Sequence, residues 1–320
     1  MGLFDKIKEP VFLKNDSEAE QQLAELQKLR DTAVSDLAEQ LDDEIRQVNA
    51  GVYGENAVHF ELENSHIPMF VLHDLYLEHD GLTAQIDYLI VTRKHIFVIE
   101  CKNLYGNIEI NSAGDFIRTV SYGRRTKKEG IYSPITQNRR HMELIKQVRS
   151  TAKGNFLTKA MFEKYFYESY RSIVVLANPK TVLYDRYAKK EVKSQVIKVD
   201  QLSEYIRKID AEPNSSTISE KDMEELAHFF LERHTQPKVD YISKFRTAVS
   251  STPAPDVPAS QNATEQPVPE APKASKANDR LCPKCGAIMI RRKATKGTNA
   301  GKEFFGCSNF PKCRCIINIQ

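Results

Sequence analysis

The stretch Gln85-Ile86-Asp87-Tyr88-Leu89-Ile90-Val91-Thr92-Arg93-Lys94-His95-Ile96-Phe97-Val98-Ile99-Glu100-Cys101-Lys102 sets two apolar runs on either side of a short basic turn. That is the pattern of a β-hairpin. With Arg93-Lys94 as a two-residue turn, Thr92 faces His95 and Asp87 lies opposite Glu100. Side chains alternate along a strand, so Glu100 and Lys102 share a face. The turn lacks the Asn-Gly or Asp-Gly that fixes a two-residue loop. A three-residue turn shifts the pairing by one and faces Asp87 away from Glu100. In the first register two carboxylates and one ammonium converge at the end of an apolar hairpin. Acids in such a place are costly unless something binds them, and a divalent cation is the chemical candidate. The alternative is a solvated sheet end whose charges pair among themselves.

Four further motifs surround the hairpin. Gly54-Glu55-Asn56-Ala57-Val58 opens a helical stretch. Glu100-Cys101-Lys102-Asn103 is followed by Gly106, Pro134-Ile135-Thr136-Gln137-Asn138 starts another helix, and Val199-Asp200-Gln201-Leu202 reads as a strand-to-helix step. In this order, and with Gln85-Ile86-Asp87, they resemble the nuclease-related domain (NERD), a branch of the PD-(D/E)XK nuclease superfamily, over about residues 51–206. Cys101 departs from the branched aliphatic that is commoner there, and should pack as a small hydrophobe. The resemblance implies a restriction-endonuclease-like α/β fold, a mixed sheet flanked by helices. It also implies a catalytic set of Asp87, Glu100, Lys102, Gln137 and Glu55. Asp87 and Glu100 would hold Mg²⁺ or Mn²⁺, with Glu55 contributing. Lys102 would position water or stabilise phosphate charge, and Gln137 would orient the lysine, the metal or the substrate. A bound metal lowers the pKa of water, as phosphodiester hydrolysis requires. Glu55 also fits as a first-turn helix acid, and Gln137 as a surface helix residue. His141, one turn beyond Gln137, could face the same cleft or be structural.

At the C-terminus, Cys282-Pro283-Lys284-Cys285-Gly286 and Cys307-Ser308-Asn309-Phe310-Pro311-Lys312-Cys313 form two thiolate pairs. The spacing is that of a closed Cys₄ zinc site. So short a segment buries little core, so metal binding would supply most of its folding energy, of order 10 kcal/mol. Cys315 competes as the fourth ligand. With Phe304-Phe305-Gly306 the segment resembles the C4 zinc finger at the C-terminus of bacterial type IA topoisomerases, over about residues 280–318. That resemblance favours Cys282, Cys285, Cys307 and Cys313 around one structural Zn²⁺, and it implies single-stranded nucleic-acid binding. Nothing else in the chain has the length or arrangement of a topoisomerase body.

Charge points the same way. Residues 280–320 hold nine basic residues against the single acid Glu303, within a chain of 46 basic and 43 acidic residues. The finger is the polyanion-seeking end. Arg291, Arg292 and Lys293 among Phe304 and Phe305 are components of a strand-binding surface, although a phenylalanine there could equally be the finger's own core. Arg124 and Arg125, in a basic loop before the Gln137 helix, are further candidates for phosphate contact.

The remaining organisation follows from composition. Residues 1–50 form an N-terminal helical segment, read as one helix from Ser17 with a Ser17–Glu20 capping box and ending near Gly51. Its stripe of Leu26, Ala33, Leu37, Leu41, Ile45 and Val48 packs on the nuclease-like core or serves self-association. Residues 51–240 are the nuclease-like domain. Pro, Ala, Ser and Thr supply 20 of the 33 residues from 247 to 279, a disordered tether with a span of roughly 30 Å or more. Residues 280–320 are the DNA-binding finger. There is no run of about 18 apolar residues and no signal-peptide pattern, and six cysteines in zinc spacing suit a reducing compartment. The expectation is a cytoplasmic protein, off the membrane, that uses a metal-dependent nuclease to process DNA, single-stranded or distorted at the finger. RNA is a further substrate class. The rival expectation is a non-catalytic adaptor with a nuclease-like fold.

Overall fold

The computed structural model describes residues 7–251, apart from 124, 214–215 and 238–239, together with 289–293, 303–307 and 315–318. The chain divides into two units, Met1–Asp256 and Val257–Gln320.

The first unit is a mixed α/β structure. Its elements are β1 (Val11–Lys14), α1 (Glu18–Thr32), α2 (Ser35–Glu63), β2 (Phe70–His79), β3 (Leu82–Val91), β4 (Ile96–Lys102), β5 (Asn107–Ile110), β6 (Phe116–Tyr122) and β7 (Arg125–Ile131). Then come α3 (Pro134–Thr151), α4 (Phe156–Ser169), β8 (Tyr170–Leu176), β9 (Leu183–Tyr184), α5 (Lys190–Lys193), β10 (Val196–Lys198), α6 (Leu202–Asp210), α7 (Glu220–Leu231) and α8 (Ser243–Ser251). Six strands form a central sheet in the order β1-β2-β3-β4-β8-β10. The β2–β3 and β3–β4 pairs are antiparallel, while β1–β2, β4–β8 and β8–β10 are parallel. A smaller sheet, β7-β6-β5-β9, takes three strands from the segment between β4 and β8 and its last strand, β9, from between β8 and β10.

Both faces of the central sheet are covered, so its strands are apolar on both sides. On one face Leu72, Leu89, Val98 and Tyr170 pack on Met142 and Ile145 of α3, Phe166 of α4 and Phe230 of α7. On the other, Val71, Tyr88, Phe97 and Ile99 meet Val58 and Leu62 of α2 and Leu202 and Ile206 of α6. Each fully buried side chain of this size contributes about 1.5–3 kcal/mol.

The hairpin takes the two-residue register. Tyr88 pairs with Ile99 and Val91 with Ile96, and the Thr92 amide donates to the His95 carbonyl at 2.9 Å. The Thr92 hydroxyl and the buried His95 ring both bond the Asp210 carboxylate. This ties the turn to the end of α6 and supplies what the missing glycine does not.

The N-terminal segment is two helices rather than one. The chain breaks at Ala33-Val34, both extended, and α2 then runs on past residue 50 through Gly51 and Gly54. In a single straight helix Leu26 and Leu41 would stand about 22 Å apart. Folded back, they share one cluster with Ile242, just before α8, and Phe245 of α8, and Leu37, Ile45 and Val48 pack against it. The apolar stripe therefore packs within the chain, with Leu26 and Leu41 buried and the rest half-covered. The Ser17 side chain makes no cap bond; the Glu18 amide instead donates to Asp74 Oδ2 at 2.7 Å. The tract expected to be structureless from 247 begins inside α8, which reaches Ser251 because Phe245 is buried against α1 and α2; its remainder lies outside the described residues.

The basic loop expected at 124–128 is largely strand. β7 pairs with β6 from Tyr122↔Arg125 to Phe116↔Ile131, with Gly123 at φ 59° in the turn. Arg118 reaches Glu129 across the pair and Lys127 reaches it along β7, so an ion pair between the strands does what apolar alternation does elsewhere.

In the second unit, β11 (Met289–Lys293), β12 (Glu303–Cys307) and β13 (Ile316–Asn318) make an antiparallel sheet in that order. Met289 and Cys315 are buried, with Phe305 and Ile317 packed against them.

Candidate active site and nucleic-acid interface

Glu100 and Lys102 close β4 on the face that α3 covers, as the alternation from Val98 requires. Glu100 is almost fully buried, and its Oε1 lies 2.6 Å from Lys102 Nζ. Asp87 enters from β3 where the sheet parts. The ladder to β4 ends at Tyr88↔Ile99, and Asp87 Oδ2 accepts the Cys101 amide at 2.6 Å in place of the next backbone bond. On the other side of β3 the pairing with β2 runs His73↔Tyr88 and Leu75↔Ile86, leaving out Asp74 and Asp87. Asp74 sits at φ 50°. Accordingly Phe70 and Leu72 share a core face with Leu75 and Leu77, and Ile86 shares it with Leu89: both strands change parity at their aspartates. This matched irregularity releases Asp87 from the ladder and presents it beside Glu100. Gln85 Nε2 holds Asp74 Oδ1 at 2.8 Å, so the glutamine that precedes Asp87 by two residues braces the bend.

The Gly-Glu pair on α2 has a steric reason. A Cβ on Gly54 would stand 2.7 Å from Asn103 Cβ and 3.3 Å from Cys101 Sγ; only glycine lets α2 lie this close to the end of β4. Asn103 Nδ2 donates to the Ala50 carbonyl at 2.7 Å and fastens the same approach. Gly51, by contrast, faces open space. Gly54→Ala will destabilise the domain by about 1–3 kcal/mol, whereas Gly51→Ala will stabilise it by about 0.5–1 kcal/mol. Paired urea unfolding curves test the contrast.

Glu55 comes from α2, on the opposite face of the sheet. Its Oε2 lies 3.0 Å from His73 Nε2, and the His73 ring stacks on Tyr88 at 4.4 Å. Its charge still bears on both other acids. The Asp87 carboxyl is pushed well up from its ordinary value, first by loss of hydration and then by the Glu100 and Glu55 charges. Burial likewise raises Glu100, with Lys102 pulling the other way. Burial alone would weaken the Lys102 ammonium, but Glu100 and Asp87 outweigh it and hold the lysine above its usual range.

Gln137 starts α3 half-buried, and among the described residues no hydrogen bond joins its side chain to Asp87, Glu100 or Lys102. Its neighbours carry the contacts. Asn138 is fully buried and donates to the Val98 and Ile173 carbonyls and the Ser172 hydroxyl, pinning α3 across β4 and β8. One turn on, His141 Nδ1 lies 3.5 Å from Glu100 Oε2; burial and then Lys102 push this imidazole down to about 4. Asn138 was hidden in the sequence by its position beside Gln137. A buried face recurring at Pro134, Asn138, His141, Met142 and Ile145 is the signal that finds it.

Among the described residues no group of three or more His, Cys, Asp or Glu side chains stands gathered as a metal site. The donor set nevertheless fits a hard divalent cation. Glu100 Oε2 is buried with no hydrogen-bond partner, the acids repel one another, and Mg²⁺ commonly binds through one or two carboxylates plus water and substrate phosphate. A cleft of about 650 Å³ opens elsewhere, among Arg139, Tyr167, Arg171, Tyr205, Lys208 and Glu212, and holds none of these groups.

Arg125 is exposed at the start of β7; Arg124 lies outside the described residues, as do Cys282, Cys285 and Cys313. Cys307 ends β12. Register sets Arg291 opposite Phe305, Arg292 opposite Phe304 and Lys293 opposite Glu303. Phe305 belongs to the small core; Phe304, on the other face by alternation, is half-buried and outside that core. Phe304→Ala will weaken DNA binding by about 1–3 kcal/mol without loosening the finger, while Phe305→Ala will destabilise it. Fluorescence anisotropy with oligonucleotides, read beside near-UV circular dichroism, separates the two.

Residues 50–177 match the family described as "Nuclease-related domain", and residues 279–320 match "Topoisomerase DNA binding C4 zinc finger". The chain thus carries a nuclease-related domain and a topoisomerase-type C4 zinc ribbon. A stretch of 39 residues is 51% identical to "DNA topoisomerase 1" of Methanocaldococcus jannaschii, covering 12% of this chain and 4% of that protein. The chain therefore shares only a small part of that relative's length. No solved structure matches the chain. Among the described residues, no helix is long and apolar enough to cross a membrane.

Proposed function

We propose that this protein is a metal-dependent nuclease that hydrolyses phosphodiester bonds in DNA. The observation that carries the reading is the cluster of buried Glu100 with half-buried Asp87 and Lys102 at the open end of β3 and β4, inside the segment that matches a nuclease-related domain. Asp87 and Glu100 would hold one Mg²⁺ or Mn²⁺, which would supply Lewis acidity and lower the pKa of water at the site. Lys102, kept charged by Glu100, sits where an ammonium orients the attacking water and offsets charge gathering on the phosphate. Glu55 adds negative field from α2 and is itself held by His73. Gln137 has the reach of a substrate contact at the start of α3. No strand of DNA needs an enclosed pocket, which agrees with a shallow site at a sheet end.

The finger, with Cys282, Cys285, Cys307 and Cys313 around one Zn²⁺, captures single-stranded or distorted DNA and raises its concentration near the nuclease-related domain. Arg291, Arg292, Lys293 and Phe304 supply cations for phosphates and a ring for bases. Arg124 and Arg125 extend the phosphate contact. The protein works in the cytoplasm. A second reading, an adaptor that binds without cutting, is favoured by one observation: Lys102 Nζ is already paired with Glu100 Oε1.

A cleavage assay separates them. Plasmid, linear duplex, single-stranded DNA and RNA are incubated with Mg²⁺ or Mn²⁺, using wild type and Glu100→Gln purified in parallel. Metal-dependent cutting that disappears in the variant supports the nuclease. Equal cutting by both proteins, or none with DNA still bound, supports the adaptor.

A further inference from the structure

His141 is not needed to explain the hydrolysis proposed above, yet its placement is unusual. Its Nδ1 and Glu100 Oε2 lie 3.5 Å apart. Both atoms are buried, and neither has a hydrogen-bond partner. The residue is 9% exposed and sits on a helix that Asn138 anchors rigidly to β4 and β8. Two unsatisfied buried polar atoms facing each other are expensive. If Nδ1 is the bare nitrogen of the ring, both are electron-pair donors, and neither can satisfy the other. One cation satisfies both: at ligand–metal distances of about 2.0–2.2 Å, two ligands of a single ion stand about 3.0–3.5 Å apart.

We propose that His141 is a nitrogen ligand, through Nδ1, to the same ion that Glu100 binds, and that it biases this site from Mg²⁺ toward a first-row transition cation such as Mn²⁺. The inference rests on the metal-dependent reading given above. An all-oxygen site of one or two carboxylates suits Mg²⁺; adding imidazole moves the preference toward softer, nitrogen-accepting ions. Glu100 contributes Oε2, the oxygen that Lys102 does not occupy, so the lysine keeps its own contact at Oε1. Water and substrate phosphate complete the ion's surroundings.

The test is spectroscopic. Mn²⁺ is titrated into the full chain, after zinc loading, and examined by electron spin-echo envelope modulation. The expected result is a ¹⁴N coupling that changes to the ¹⁵N pattern when the protein is labelled with ¹⁵N-histidine and that is lost in His141→Asn. The same variant should raise the Mn²⁺ dissociation constant about tenfold or more and leave that of Mg²⁺ within about threefold. Since His141→Asn could loosen α3, the labelled wild type stands as a test that requires no variant. Tight Mn²⁺ binding that Glu100→Gln abolishes, but with no histidine nitrogen coupling, would leave the metal site intact and overturn the role of His141. Absence of any Mn²⁺ binding dependent on Glu100 would overturn the metal-dependent reading and this inference together.

Discussion

Asp87→Asn will lose metal-dependent cleavage by about 10³-fold or more and yet melt at a higher temperature than the wild type when metal is absent. The two effects come from one cause. The Asp87 carboxyl is short of hydration and faces Glu100 and Glu55, so in the metal-free fold its charge is a burden. Its one described structural task is to accept the Cys101 amide, which an asparagine oxygen does equally well. Removing the charge therefore leaves the geometry and relieves the repulsion, worth about 2–4 °C if the gain is near 1 kcal/mol. The sign with pH follows from the raised value. An acid whose folded pKa lies above its unfolded one favours the fold while it is protonated in both states. It loses that contribution as pH rises through the folded value. The advantage of Asp87→Asn should thus be absent in strong acid and grow with pH. Saturating Mn²⁺ or Mg²⁺ should raise the wild-type melting temperature and leave the variant unmoved. Differential scanning calorimetry at several pH values, with and without metal, makes the measurement. A variant less stable than wild type at neutral pH would show that the carboxylate is structural and the burden imaginary. Glu100→Gln should behave differently, because it strips Lys102 of its partner and leaves a half-buried ammonium uncompensated.

This contrast rests on features of unequal legibility. The hairpin register was open to reading because alternation and the basic turn agree, and the Thr92–His95 bond closes that turn as the two-residue register requires. Alternation also put Glu100 and Lys102 on one face. The parity change at Asp74 and Asp87 was not legible: each strand alone shows only a polar residue in an apolar run, and the reason appears when the two irregularities face each other. The break at Ala33-Val34 carries no proline or glycine, while Gly51 reads as a helix end that packing on the sheet overrides. β7 is not legible in the sequence because an edge strand of Arg125, Thr126, Lys127, Lys128 and Glu129 has no buried side to mark it. On α3 the polar residue that shares a motif with Asn138 drew the assignment, whereas helical periodicity sends Asn138 and His141 inward and Gln137 to the flank.

Stripping zinc should have the second large effect, and it should fall on binding before chemistry. Residues 279–320 match a C4 zinc finger, and the described strands beneath it bury little beyond Met289, Cys315, Phe305 and Ile317. So small a cluster supplies only a few kcal/mol of burial, against ordering costs of about 1–2 kcal/mol per residue. The balance must come from metal, for which structural zinc provides about 10–16 kcal/mol. Chelation, or Cys282→Ser with Cys285→Ser, should unfold this unit, remove one equivalent of zinc and abolish tight binding to single strands. The nuclease-related domain has its own two-faced core and should keep its far-UV spectrum and its melting transition. With nine basic residues against one acid over 280–320, the intact protein's affinity should fall steeply with salt, by a slope of about −0.7 for each phosphate neutralised on a single strand. After zinc removal the slope should shrink along with the affinity. Cleavage of dilute DNA should drop in parallel, while cleavage at saturating DNA should persist, because in the proposed function the finger delivers substrate and the cluster at Asp87, Glu100 and Lys102 performs the reaction. Equal loss at saturating DNA would instead assign the finger a part in the chemical step itself.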